Sequence, residues 1–275
     1  MSGSKTLGLC FLIIFSAISF SGCAFPQGLF QNPRYIYENG AVLVGGDEKP
    51  IELVNSPNSV DVSYNELLAF IREDNTDQLP YVERALSGDS IPFVCSDFAE
   101  TVHNNAEAAG IRAGYVGIDW EEGGLGHAVN VFETTDLGMI YIDCTGQSIY
   151  SQLDNGENPV YNLSWDKVAY LEIGQRFGVL SLDKAKSPTY EYYLEYMQKW
   201  EEYKQQLVAY NNDVKQYNQD IQGKTFRLDS AELREIENRE RQLRAKEKVL
   251  DAMKSEIGTT RFKPLGIVKN TLVYW

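Results

Sequence analysis

Histidine is scarce in this 275-residue chain: there are two, His103 and His127, beside four cysteines. No grouping of His, Cys and carboxylate residues has metal-ligand spacing, so neither a metal nor any other cofactor is expected. Basic residues are also few, 25 against 39 acidic ones, for a formal net charge of −14. That balance excludes a nucleic-acid binder and a protein drawn to anionic membrane surfaces. Long apolar runs are missing too, apart from Leu7 to Phe20 near the start. That run is short for a membrane span and has the length of a signal-peptide core.

Met1 to Lys5 carries one positive charge and no acid ahead of that core. Phe20-Ser21-Gly22-Cys23 then resembles a lipobox, with Phe20 where Leu, Val or Ile is usual. Residues 1–22 are thus expected to be a lipoprotein-type signal peptide, with Cys23 the lipid-bearing residue. The expected location is the cell surface, held at the membrane through the N-terminal lipid or an uncleaved N-terminal anchor, or else outside the cell after plain secretion. Residues 23–58 are rich in Pro, Gly and Asn and read as a tether and edge segment, with a strand-like patch at 41–44.

The stretch around which the chain is organised is Phe93-Val94-Cys95-Ser96-Asp97-Phe98-Ala99. Phe98, Ala99, Val102, Ala106 and Ala109 share a helical face, and Gly110 supplies a stop. Cys95 therefore belongs at the first turn of a buried helix. Unpaired N–H groups and the helix dipole there favour an anion, and thiolate is the nucleophilic form of cysteine. Gly126 to Phe132 alternates as a strand with His127, Val129 and Val131 on one face. Met139 to Thr145 reads as the next strand, placing Asp143 beside His127. Thiol, imidazole and carboxylate thus follow in the order nucleophile, base and orienting group. His103 sits eight residues beyond Cys95 on the same helix, about 12 Å along its axis, and cannot serve as the base. Cys144 is expected on the opposite side of the sheet from Asp143, and hence away from Cys95, which argues against a disulfide.

The run from Val94 to Thr145 resembles the transglutaminase-like superfamily, whose core is Cys-x-Asp-Phe-Ala on a helix, His-Ala on a strand and Asp-x-Thr on the next. The resemblance is to its archaeal and bacterial cysteine-protease-like branch and covers roughly Tyr64 to Gln147. Two positions depart: Val129 stands where an aromatic residue is common, and Cys144 where proline is usual. The resemblance implies an α+β fold with a transglutaminase- or papain-like core, a Cys helix packed on an antiparallel sheet, over residues 59–186.

Within that core Ser63 is placed to cap a helix over 64–73, with Glu66 at the capping-box position. Thr76 to Tyr81 reads as a loop and 81–87 as a short turn of helix. Gln78 and Tyr81 are the oxyanion candidates, because both can donate a hydrogen bond. The acidic, Gly-rich loop 119–126 borders His127 and is expected either to wall a cleft or to be a plain long hairpin connection.

From 187 to 258 the composition changes. Tyr193, Tyr196, Trp200, Tyr203, Leu207, Tyr210, Val214, Tyr217 and Ile221 make a heptad seam, Gly223 breaks it, and Ser230 restarts a second helix. An antiparallel helical hairpin of the coiled-coil type is expected, each helix roughly 45 Å long. It offers a surface for self-association or a protein partner. Residues 259–275 are strand-like and are expected to return to the core sheet.

The expected function is that of a surface-exposed thiol enzyme acting on peptide or amide bonds of a protein or peptide substrate through an acyl-enzyme. Hydrolysis, as in a cysteine protease or amidase, and protein-glutamine cross-linking share the same three residues. The remaining alternative is a non-catalytic cell-surface protein that binds through the helical arm.

Overall fold

The computed structural model describes residues 34–38, 41–83, 88, 90–146 and 165–275. The expected signal segment 1–22 and the lipid-bearing Cys23 lie outside the described residues. Four short strands come first: β1 (Arg34–Tyr35), β2 (Tyr37–Glu38), β3 (Ala41–Val42) and β4 (Glu52–Leu53). They form two antiparallel pairs, β1 with β4 and β2 with β3. The helices α1 (Tyr64–Glu73) and α2 (Cys95–Ala108) follow. Then come β5 (Gly114–Trp120), β6 (His127–Thr134), β7 (Gly138–Asp143), β8 (Lys167–Tyr170) and β9 (Gly178–Ser181). Two long helices, α3 (Tyr190–Ile221) and α4 (Ala231–Ile257), precede the last strand, β10 (Val268–Tyr274). The protein is α+β, and its main sheet is antiparallel in the order β10-β5-β6-β7-β8-β9.

Local chemistry explains where the first helices begin and end. The Ser63 hydroxyl accepts the Glu66 N–H, and the Glu66 carboxylate accepts the Ser63 N–H at 2.8 Å, a complete capping box. Leu67, Leu68 and Ile71 of α1 are buried. At the start of α2 the Asp97 carboxylate accepts the N–H of Val94 (2.8 Å), leaving Cys95 as the first helical residue. Gly110 ends α2 at φ +82°, a conformation that a Cβ disfavours. Phe98, Ala99, Val102 and Ala106 are buried as their spacing requires. Ala109, by contrast, is the exposed cap of the helix.

The sheet has two differently covered faces. On one side Tyr115, Ala128, Asn130, Phe132, Ile140, Ile142 and Tyr170 meet α1, α2 and the bases of α3 and α4. On the other, Val116, Ile118, Val129, Val131, Ala169 and Val179 meet Trp165, Phe177, Phe262 and Leu265. Strand alternation assigns the sides, and the β5–β6 pairs Val116↔Val129 and Ile118↔His127 align them.

The long helices leave between β9 and β10, two strands of one sheet. Lys199–Glu256 (2.5 Å), Asp213–Lys246 (2.5 Å) and Asp220–Arg239 (2.7 Å) join base to base and tip to tip, so α3 and α4 run antiparallel. Ser230 caps α4 by accepting the Leu233 N–H at 3.1 Å. Tyr193, Tyr196, Trp200 and Ile257 enter the helix-side core. Gly178 of β9 makes room for this docking, since a Cβ there would overlap the Tyr193 ring. The Tyr196 hydroxyl donates to the Ile257 carbonyl, tying the two helix bases together.

The expected turn of helix over 81–87 differs in what is described. Val82 forms an antiparallel bridge with Phe93, each N–H donating to the other's carbonyl (2.8 and 2.9 Å). Residues 84–87 lie outside the described residues. The expected loop 76–81 begins as a 3₁₀ turn over Thr76–Gln78.

Candidate active site

His127 and Asp143 come together because β6 and β7 are neighbours in the antiparallel register Asn130↔Ile142 and Val131↔Tyr141. Extending that register puts Asp143 opposite Val129, on the face that His127 shares. His127 Nε2 lies 2.9 Å from Asp143 Oδ2. A carboxylate can only accept, so Nε2 carries the hydrogen and Nδ1 is the nitrogen left for another partner. The Thr145 N–H donates to the other oxygen, Asp143 Oδ1, at 2.8 Å. Both residues of the pair are almost wholly buried, with side chains 3% and 0% exposed.

Cys95 stands half-buried at the helix start beside the same ring. Burial pulls the imidazole pKa down. The Asp143 carboxylate and then the Cys95 sulfur push it up further, to about 10. The three residues expected from the sequence therefore converge. Their arrangement can pass a proton from sulfur to ring nitrogen while a carboxylate fixes the ring's tautomer.

Two aromatic rings hold the imidazole from its faces and edge. Trp120 lies nearly parallel to it, centroids 6.4 Å apart, and Phe177 meets it edge-on at 5.4 Å. Trp120 ends β5, so the loop that follows it runs beside His127. Leu125 in that loop is 96% exposed.

The oxyanion candidates separate. Gln78 is exposed, and its amide donates to Asn75 Oδ1 at 3.0 Å, across its own 3₁₀ turn. Tyr81 stacks on Phe98 of the Cys helix, centroids 6.2 Å apart. Burial, and next the neighbouring Cys95, raise its pKa, so the phenol keeps its proton as a donor. A second phenol, Tyr115, packs in the same cluster as Cys95, Ala99 and Ala128. The lone tyrosine at a buried position of β5 is the signal that marks it.

Asn130 does not stand out from alternation alone. It is buried on β6, and its amide donates to the carbonyls of Ala99 (2.8 Å) and Gly114 (3.4 Å). It thereby clips the Cys helix to the His strand, and its trace in the sequence is a polar residue among Ala128, Val129 and Val131. Asp97 acts in a related way. Besides the Val94 N–H it accepts the Gly46 N–H at 2.8 Å, binding the segment before α1 to the turn that starts with Cys95.

His103 is buried farther along α2, 3.2 Å from Asn55 Oδ1. Burial lowers its pKa to about 4 against the pull of Glu107, so it is a neutral core residue. Cys144 is a free, buried thiol in the helix-side core, on the opposite face from Asp143. Burial, then the Asp166 carboxylate, push its pKa well above the ordinary thiol range. Cys95 also packs on the helix side, so the sheet does not separate the two thiols as expected; they occupy different clusters of that one face. No group of His, Cys and carboxylates among the described residues has the geometry of a metal site.

No protein-family model, curated protein or solved structure matches the chain.

Proposed function

We propose that the protein is a thiol enzyme of the transglutaminase-like kind that acts on amide or peptide bonds through an acyl-enzyme. The observation that carries this reading is the buried His127–Asp143 pair at 2.9 Å with the half-buried Cys95 beside the ring at a helix start. In the first half-reaction the Cys95 sulfur bonds to the carbonyl carbon. The thiol proton already rests on His127 Nδ1, since that imidazole holds its proton to about pH 10; the imidazolium delivers it to the departing nitrogen, leaving a thioester and a free amine. Water then attacks the thioester carbon while His127 Nδ1 takes one of its protons, the C–S bond breaks to restore the sulfur beside the imidazolium, and the product leaves as a carboxylate with its second proton lost to solvent. The N–H of Cys95 at the helix start and the Tyr81 hydroxyl are the donors suited to the tetrahedral oxygen.

In this reading the six-stranded sheet with α1 and α2 is the transglutaminase-like core, and α3–α4 is a coiled-coil hairpin inserted between its last two strands. The protein works at the cell surface, held through a lipid on Cys23, on a protein or peptide substrate.

Incubating a peptide library with the native protein and with Cys95→Ala, followed by mass spectrometry, tests this reading. Shortened peptides made only by the native protein are expected. Peptides joined through glutamine would replace hydrolysis with transamidation, and identical spectra from both proteins would defeat the reading.

A further inference from the structure

Among the described residues Lys167 is the largest charged side chain that is hidden completely, with 0% of its surface exposed. It pairs directly with Asp143 in the β7–β8 register, so the two side chains leave the sheet on one face. Its ammonium donates to the carbonyls of Thr145 (3.0 Å) and Trp165. The rings of Trp165 and Phe262 face it at 5.9 and 5.8 Å. Every one of these partners suits a cation, and an ammonium buried without them would be costly.

The charged groups around it come from every neighbouring element. Asp143 and Cys144 lie at the end of β7, Asp166 lies just before β8, and Asp77 lies in the 3₁₀ turn. The Asp77 carboxylate reaches β8 by accepting the Trp165 N–H at 2.8 Å. His127 approaches from β6 through Asp143. Three buried carboxylates thus face two groups able to be positive, His127 and Lys167.

Resting on the proposed function, we infer that Lys167 is a positioning residue: its buried ammonium keeps Asp143 a carboxylate and aims it at His127. Thr145 joins this arrangement from both ends, its N–H on Asp143 and its carbonyl on Lys167. Lys167 thus closes a circuit behind the imidazole that neither Asp143 nor Thr145 completes alone. Burial draws the Lys167 pKa down, and the Asp143 carboxylate opposes that draw more than any other neighbour.

The test follows iodoacetamide alkylation of Cys95 against pH by mass spectrometry in the full protein. In the native chain the reaction should show an acid edge that depends on His127, which a His127→Gln control removes. Without that dependence the proposed function fails, and this inference falls with it. Given that dependence, Lys167→Met should move the acid edge up by about one pH unit or more, because loss of a nearby positive charge favours every protonated neighbour. Asp166→Asn should move the edge down. The double variant should return towards the native curve, which a purely packing role would not produce. An unmoved edge in Lys167→Met overturns the inference while the proposed function stands. Should Lys167→Met not fold, Lys167→Gln takes its place: an upward shift supports the inference and a coincident curve overturns it.

Discussion

The sheet around His127 and the hairpin of α3 and α4 solve the problem of burial in opposite ways. In β6 every residue but one is buried, and polar groups are admitted only with partners: Asn130 on two carbonyls, His127 on Asp143. In the 32 residues of α3 only Tyr193, Tyr196 and Trp200 are buried, all in its first third, and in α4 only Leu250 and Ile257, near its return to the core. The rest of the heptad seam, from Tyr203 to Ile221, is half-covered by its partner helix. The contrast teaches where precision resides. Chemistry needs side chains held from several sides, and only the sheet supplies that; the hairpin holds its shape through a repeated pattern and surface ion pairs.

The largest effect that could break this contrast lies at the thiol. Cys95→Ala and His127→Ala should each lower turnover about 10³-fold or more, by analogy with other nucleophile–base pairs. Measured kcat on a peptide identified from the library checks this. Removing the hairpin's tip pair Asp220–Arg239 should leave kcat unchanged in the same assay.

The buried pair also makes stability depend on pH. The His127 pKa stands at about 10 in the folded protein, against an ordinary value of about 6.5. A raised histidine contributes stability that is complete below the unfolded value and is lost as pH climbs through the folded one. The native protein should therefore lose stability between about pH 6.5 and pH 10, and His127→Gln should lose less over the same interval. Urea midpoints at pH 6, 8 and 10 measure both. A parallel decline would show that the pair contributes nothing on folding.

Much of this is legible in the residues wherever the signal is local. The Ser63–Glu66 box is a four-residue pattern, and it closes as its chemistry requires. Cys95, His127 and Asp143 can be placed because each marks the start or end of one element, and antiparallel neighbours do the rest. The break at Gly223 and restart at Ser230 follow from propensity alone. What stays hidden depends on partners distant in sequence. Tyr193 needs the empty side of Gly178, Asn130 needs a carbonyl on α2, and Lys167 needs the register of β7 with β8; none of these leaves a periodic trace. Val82 misleads for the same reason: its bridge partner, Phe93, lies in a different segment of the chain. Gln78 is suggested by its functional group alone, and the competing acceptor at Asn75 takes it.

The base of the hairpin belongs energetically to the sheet, and a truncation there should show it. Trp200 is 5% exposed in the helix-side core, so Trp200→Ala should cost about 3–5 kcal/mol. Tyr210→Ala, half-covered farther out, should cost about 1 kcal/mol or less. Chemical denaturation of the two variants compares them directly. Equal costs would mean that the outer seam is packed as tightly as the base, and the contrast drawn above would dissolve.

The smallest expected effect sharpens the other half of the contrast. Lys246 and Asp213 lie 2.5 Å apart across the two helices, with side chains 55% and 46% exposed. Water screens such a pair, and fixing two flexible side chains offsets much of the attraction, so exposed pairs are generally worth about 1 kcal/mol or less. Lys246→Ala should therefore lower stability by no more than that, and the difference should vanish near 1 M salt, where the screening length falls to about 3 Å. The measurement is the urea midpoint of native and variant proteins at low and high salt. A cost that is larger and indifferent to salt would place this pair in a dry interface, and the half-covered seam beside it would then have to be covered by something more than its own partner helix.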